Sequence, residues 1–353
     1  MRNKPNFHFD LRSPTIGFRL EKRRNFRIVD GMEIRQGIDG LASLPKGLAV
    51  TVGNFDGLHR GHQALIAKLR ELRSGGATGV GVVTFEPHPL TVIRPELAPP
   101  RLTLVEQKRE WIASLGVDYL VELAPTKDVL DLSAEAFWGI LRDQLRPSHI
   151  VEGKTFNFGK DRQGTIEKLR AWCADSTVQF HQISSVEEVL LDLSIVTVNS
   201  SMIRWLVWHG RVRDAAILLG RNHALRGTIV KGHQRGRTIG FPTANFDCGK
   251  QLVPADGVYA GRIGIDGTTH SAAVSIGTMP TFGENRRQVE AYVIGWSGDL
   301  YGRTLDLELI DWVRDQRKFS GIDLLKEQLA NDVKECEAIV ARHGRLAREA
   351  VKV

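Results

Sequence analysis

The segment GNFDGLHRGHQ, residues 53–63, sets two histidines, His59 and His62, three apart in a glycine-rich stretch between an apolar run and a helical pattern. Imidazoles in such a place can donate hydrogen bonds to phosphate oxygens whose negative charge grows during transfer. Gly53, Gly57 and Gly61 let the backbone approach the same anion, and Asn54, Phe55 and Asp56 share the turn. Two other chemistries compete for these residues. A metal pair would use Asp56, but no convincing further ligand lies nearby. Plain turn chemistry would make a histidine a cap and nothing more.

A second segment weighs against the turn reading. NSSMIR, residues 199–204, puts the hydroxyls of Ser200 and Ser201 at the start of a helical pattern with Arg204 one turn in. That is a cradle for departing pyrophosphate or, taken alone, an ordinary serine cap with a solvated arginine. The two segments together imply nucleotidyl transfer, in which a phosphate oxygen attacks the α-phosphorus of a nucleoside triphosphate. Class I tRNA synthetases share the HxGH logic, but no KMSKS-like loop is present.

A third segment, RGTIVKGHQRGRTIGFPTANF at 226–246, joins a strand to a glycine-rich loop and then to GFPTAN. Thr243 and Asn245 there offer oxygen ligands two residues apart, which suits Mg-ATP. The same glycines and basic residues could form the nucleic-acid-binding loop of an OB-type barrel, although few aromatics accompany them.

These segments need elements to position them. From residue 46 short β-branched runs alternate with helical patterns: LAVTV, HQALIAKLRELR, TGVGVVTF, VEQKREWIASLG, DYLVEL, SAEAFWGILRDQL and SHIVEG, closed by SSMIRWLVWHG and VRDAAILLG. Alternation of this kind predicts a doubly wound α/β unit over 46–220, with the histidines at the first strand-to-helix crossover, where such sheets bind ligands. After GRNHALRG the texture becomes alternating strands, GVYAGRIGI and HSAAVSIG joined by Asp266-Gly267, then VEAYVIGW and RTLDLELIDWV. A small antiparallel barrel over 221–345 is expected. An amphipathic helix at roughly 321–343, ending before Gly344, carries Cys336 on its apolar face.

Composition narrows the class. A chain of 353 residues with 42% hydrophobic and 25% charged residues has room for two cores, and its apolar runs are too short to span a bilayer. The cysteines Cys173, Cys248 and Cys336 lie far apart without CxxC spacing, which fits a reducing cytoplasm. Of the net charge of +7, +5 lies in residues 1–31, which lack both apolar periodicity and a secretory signal and read as a mobile basic tail. The nearly neutral body implies small-molecule substrates rather than nucleic acid or membrane, and says nothing of oligomeric state.

The chain resembles the bacterial bifunctional riboflavin kinase and FMN adenylyltransferase family from about residue 46 to 335. The resemblance rests on GNFDGLHRGHQ, TFEPHP (84–89), FGKDRQG (158–164), SSMIR, GRTIGFPTAN, GVYA (257–260), IGTMPTFG (276–283), VEAY (289–292) and DLYG (299–302). It implies a nucleotidyltransferase-type domain followed by a six-stranded kinase barrel. For the first it implies ATP on His59, His62 and the Ser200–Ser201–Arg204 segment, with FMN near Phe85, His88, Thr155 and Arg162. For the second it implies ATP along Lys231, Gly232, Arg237, Gly240, Phe241 and Pro242, magnesium and phosphates at Thr243 and Asn245, Glu290 as general base, and Arg314 near the flavin. The sequence departs from the pattern at Thr155, where Asp or Asn is usual, at Asn199 and Met202, and at Gln316, where an acidic residue is common. Thr155 separates the bifunctional reading from a kinase whose adenylyltransferase is weak or lost. A nucleic-acid-binding or regulatory protein on the same folds is the alternative from another class.

Overall fold

The structure is a computed structural model that describes residues 27–232, 235–278 and 287–350. Its first unit runs through β1 (Arg27–Val29), β2 (Met32–Gln36), α1 (Gly37–Ala42), β3 (Ala49–Gly53), α2 (Arg60–Ser74), β4 (Val80–Phe85), α3 (Leu90–Ile93), α4 (Val105–Ser114), β5 (Tyr119–Leu123), α5 (Lys127–Leu130), α6 (Ala134–Ile140), β6 (His149–Gly153), α7 (Ile166–Ala174), β7 (Gln179–Ile183), β8 (Glu187–Val189), β9 (Ile195–Thr197), α8 (Ser200–Trp208) and α9 (Val212–Leu219). Seven strands form one sheet in the order β1-β2-β5-β4-β3-β6-β7, parallel except for β1. Helices cover both faces. Leu41, Phe137, Trp138 and Leu169 pack with Val50 and Val52 on one side, and Leu65, Ile66, Leu69 and Ile112 with Ala49 and Val82 on the other. Burial on both faces is why these strands read as continuous apolar runs.

The sheet starts earlier than the sequence suggested. Arg27–Val29 pairs antiparallel with Met32–Gln36 across a turn at Asp30 and Gly31, and β2 lies beside β5. Residues 27–31 are therefore part of the fold rather than tail, and the start at 46 is corrected to 27. Met32 and Ile34 are buried, but polar Glu33, Arg35 and Gln36 between and after them hide the strand in the sequence. The rest of the expected tail, residues 1–26, lies outside the described residues.

At Gly220, which caps α9 with φ 70°, the chain passes into β10 (His223–Val230), α10 (Arg235–Thr238), β11 (Ala244–Asp247), β12 (Gly257–Ile265), β13 (Thr268–Thr278), β14 (Arg287–Val293), β15 (Thr304–Arg314) and α11 (Ile322–Ala350). Six antiparallel strands close a barrel in the order β10-β11-β14-β13-β12-β15. Asp266 and Gly267, both at positive φ, make the two-residue hairpin turn that a right-twisted ladder favours. Inward-facing Leu225, Tyr259, Val274, Val289 and Leu307 fill the interior. Cys336 and Ile339 seat α11 against Ala260 and Ile310 outside it. The helix does not stop at Gly344: an interior glycine weakens a helix by only about 1 kcal/mol relative to alanine. The two units are tied together. Leu252 N–H donates to the Arg101 carbonyl, and Arg226 of β10 bridges Glu110 of α4 and Asp306 of β15.

Candidate functional site

Strand order reverses at β3: the chain goes from there to β4 and β5 on one side, and to β6 and β7 on the other. β3 and β4 pair over five residues, but β3 and β6 over only two, so a crevice opens between their carboxyl ends. The Glu152 carboxylate fills its floor, accepting from Val52 N–H at 2.7 Å and from Thr51 Oγ1 at 3.5 Å. Burial pushes that carboxyl well above the usual carboxylate range, against both hydrogen bonds.

The GNFDGLHRGH loop leaves β3 at this crevice. Phe55, Gly57 and Leu58 have φ of 50°, 79° and 39°, and only the glycine tolerates that region freely. His59 caps α2, its Nδ1 accepting from His62 N–H at 3.4 Å while its carbonyl takes Gln63 N–H. The N–H groups of Arg60 and Gly61 are left facing outward from the helix start. The His59 and His62 rings stack with centroids 3.6 Å apart, and Phe55 flanks His62. Burial lowers the His59 pKa to about 4, partly opposed by Asp56, and holds His62 well below the ordinary histidine value. Both rings are thus neutral at pH 7, and with Nδ1 of His59 accepting, its proton sits on Nε2. The pair offers neutral donors rather than a cationic clamp.

Asp56 is an anchor, not a metal ligand. Its carboxylate accepts from Leu102 N–H, Thr103 N–H, the Thr103 hydroxyl and Arg204 Nη2. Arg204 also donates to the Pro100 carbonyl, and the Ser200 hydroxyl to the Asp56 carbonyl at 3.0 Å. Neither expected serine caps α8. Asn199 does, accepting from Met202 N–H at 2.8 Å, which frees the Ser200 hydroxyl for the loop and leaves Ser201 exposed.

Beside this loop a small open pocket brings together Asn54, Asp56, Phe85, His88 and Arg204. Three further members, Glu86, Arg101 and Lys108, were not singled out in the sequence. Glu86 accepts from Arg101 and from Lys108, the latter at 2.8 Å. Burial would raise its carboxyl, but the two cations outweigh it and hold it below the usual range. TFEPHP could have flagged Glu86; nothing in VEQKREW marks Lys108, which points in from the buried side of α4. Thr155 and Arg162 do not line this pocket. Thr155 is exposed in the turn after β6, its carbonyl taking the Asn157 side-chain amide at 2.8 Å, and Arg162 is exposed on a one-turn helix.

In the barrel the expected residues converge on two paired strands. Asn245 of β11 lies directly opposite Glu290 of β14, and the Thr243 hydroxyl donates to Glu290 Oε2 at 3.2 Å. The buried Asn245 amide oxygen accepts from Gln288 at 2.7 Å. Gly232 passes so close that a Cβ there would lie 2.3 Å from Asn245 Nδ2. Phe241 sits edge-on to Tyr292, while Lys231, Arg237, Gly240 and Pro242 are exposed along the loop. Arg314, expected beside the flavin, is held by α11: Nε and Nη2 grip both oxygens of Asp332, and Nη1 donates to the Asp315 carbonyl. Gln316 donates to Ser275 Oγ and to the Gly257 and Ile276 carbonyls, and the two carbonyl contacts are ones that an ionised acidic residue could not make. Residues 279–283 of IGTMPTFG, the following residues 284–286, and His233 and Gln234 lie outside the described residues.

A parallel sheet with an imidazole pair at its switch point, followed by a closed barrel with an oxygen-rich mouth, defines a two-domain enzyme of the nucleotidyltransferase-plus-kinase class. Residues 41–194 match the family model for FAD synthetase, and residues 219–340 that for riboflavin kinase. The chain is 34% identical over 304 residues to the bifunctional riboflavin kinase/FMN adenylyltransferase of Escherichia coli K12, covering 85% of this chain and 96% of that protein. It is 33% identical over 312 residues to the protein of the same name from Pseudomonas fluorescens, with 88% and 98% covered. A crystal structure described as a macrolide-efflux protein from Streptococcus pneumoniae is similar at a TM-score of 0.77 and 27% identity, covering 86% of this chain and 98% of that one. No helix among the described residues is long and apolar enough to cross a membrane. The chain belongs to the bifunctional riboflavin kinase/FMN adenylyltransferase family.

Proposed function

We propose that the chain makes both flavin nucleotides, phosphorylating riboflavin in the barrel, residues 221–345, and adenylylating FMN in the α/β unit that ends at 220. The observation that carries this is the presence, on one chain, of two separate clusters: neutral imidazoles at the open end of a parallel sheet, and a hydroxyl, an amide and a carboxylate on facing barrel strands.

In the barrel, Glu290 takes the proton of the ribityl 5′-hydroxyl as that oxygen attacks the γ-phosphorus of ATP and the bond to ADP breaks. Thr243 holds the carboxylate in place. Thr243 and Asn245 present neutral oxygens of the kind magnesium accepts alongside nucleotide phosphates. That ion, when bound, offsets phosphate charge. In the α/β unit an FMN phosphate oxygen attacks the α-phosphorus of ATP and pyrophosphate departs. No general base is needed, because the phosphate is already anionic at neutral pH. His59, His62 and the open N–H groups of α2 donate to the developing charge. Arg204, already turned toward the loop by Asp56, meets the leaving phosphates, and Phe85 and His88 face the acceptor. The substrates are small molecules, and the reading places the enzyme in the cytoplasm.

Incubation with riboflavin, ATP and magnesium, followed by chromatography, tests this. FMN is expected first and FAD after it. Riboflavin left unphosphorylated by folded protein would overturn the reading.

A further inference from the structure

Arg221 is the second residue past α9, inside the segment that matches the riboflavin kinase family, yet its side chain turns back into the α/β unit. Nη2 donates to the Gly57 carbonyl at 2.8 Å, and Nη1 reaches the Leu58 and Leu219 carbonyls at 3.4 and 3.3 Å. The guanidinium lies over the Trp111 ring, 3.5 Å from its centroid. Nε is sealed from solvent and has no hydrogen-bond partner among the described residues. No carboxylate among the described residues forms an ion pair with it, and Glu308 opposes its burial only in part. Burial lowers its pKa to about 10, so it stays a cation at neutral pH.

Two of the carbonyls it holds belong to the strained part of the histidine loop, where Gly57 and Leu58 have positive φ immediately before His59. The grip is reinforced. Gln63 of α2 donates to the same Leu58 carbonyl at 2.9 Å and to that of Leu219 at 2.8 Å, and Arg60 Nε to the Ile217 carbonyl at 2.9 Å. A buried cation that no carboxylate meets in an ion pair is unfavourable unless something nearby compensates it. Carbonyl dipoles supply part of that, and a polyanion on the other side of the loop would supply more. The same charge adds to the forces that keep His59 and His62 unprotonated.

We propose that Arg221 is a positioning residue for adenylyl transfer, a side chain of the barrel's leading segment that fixes the Gly57–Leu58 backbone so that the His59–His62 pair stays set against the triphosphate. The proposal rests on reading that loop as the adenylyl-transfer site. It makes the site of one activity depend on the first residues of the domain that carries the other.

The test uses full-length Arg221→Ala and Arg221→Lys with His62→Ala in parallel. A loop displaced by about 1 Å loses on the order of 10²-fold in rate. Both Arg221 variants should therefore lower kcat for FMN-to-FAD conversion by about 10- to 10²-fold. KM for ATP should move far less, and riboflavin phosphorylation should be unchanged. Lysine keeps the charge and the stem but cannot serve two carbonyls from one planar group. Guanidinium ion at sub-denaturing concentration should partly restore the alanine variant and leave wild type unaffected, which a merely structural role would not produce. Unchanged FAD formation, equal loss of both activities, or loss without guanidinium rescue would overturn the proposal. If His62→Ala also leaves FAD formation intact, the site reading itself fails; if only His62→Ala is impaired, the fault lies with Arg221 alone.

Discussion

The two sites are built on different supports. In the barrel, Asn245 and Glu290 stand opposite each other on one ladder, so main-chain hydrogen bonds fix their separation. In the α/β unit the participants come from the ends of β3 and β4, the start of α2 and α8, and a buried face of α4, and only loops join them. Three residues at positive φ, Phe55, Gly57 and Leu58, and a net of side-chain-to-carbonyl bonds shape the histidine loop. A ladder site is damaged mainly by changing its own residues. A loop site is also damaged from behind, through residues that touch no substrate.

The largest expected effect breaks the loop site. His62→Ala removes a preorganised donor to developing phosphate charge and should lower FMN-to-FAD conversion by about 10²- to 10³-fold, leaving riboflavin phosphorylation intact. Steady-state rates of the two half-reactions, assayed separately, check it. Next is the ladder site: Glu290→Gln keeps the shape and removes the proton acceptor, so FMN formation should fall by about 10²-fold with FAD formation from FMN untouched. Equal loss of both would indicate misfolding instead. Gly232→Ala follows. Its Cβ would sit 2.3 Å from the Asn245 amide, so the loop or the amide must shift, and the kinase alone should lose roughly 10-fold.

Acid should weaken both units alike. Burial holds His59 in one unit and His223 in the other at about 4, below the ordinary 6.5. Since the unfolded chain binds these protons more readily, the stability they contribute is complete above pH 6.5 and is lost as pH falls toward 4. His223→Gln, which keeps a donor for the Leu252 carbonyl, should flatten the barrel's share of that loss. Thermal unfolding from pH 7 to 4.5 measures it, and an unchanged slope would remove His223 from the account. The smallest effect concerns Thr155. The sequence departure suggested a slow second step that Thr155→Asn would speed. With Thr155 exposed and apart from the Phe85–His88 pocket, the change should be within about threefold in FAD formation.

Most of this architecture was legible because local pattern and tertiary role agreed. The apolar strands 49–53 and 80–85, the Asp266-Gly267 turn and the alternating barrel strands all announce their pairing. The first strand pair did not, because β2 mixes polar Glu33, Arg35 and Gln36 with its buried Met32 and Ile34 and β1 has only three residues. Motif residues that act through their own side chains, such as His59 and Glu290, could be named from spacing and resemblance. Residues that act through someone else's backbone could not. Arg221 looks like a surface arginine in GRNHALRG, Lys108 like one charge among several on a helix, and Glu152 like a strand-end glutamate; only their neighbours in space give them a role. Arg314 could be named from resemblance, but its pairing could not, since Asp332 lies eighteen residues on in a helix.

The separateness of the two sites is tested most directly by mixing. Glu290→Gln should make FMN only slowly, and His62→Ala should carry FMN on to FAD only slowly, so each alone should turn riboflavin and ATP into FAD far more slowly than wild type. An equimolar mixture of the two should make FAD much faster than either, with FMN released by one chain and adenylylated by the other. A mixture that makes FAD no faster than either, from variants each shown to keep its remaining half-reaction, would contradict two independent sites exchanging FMN through solution.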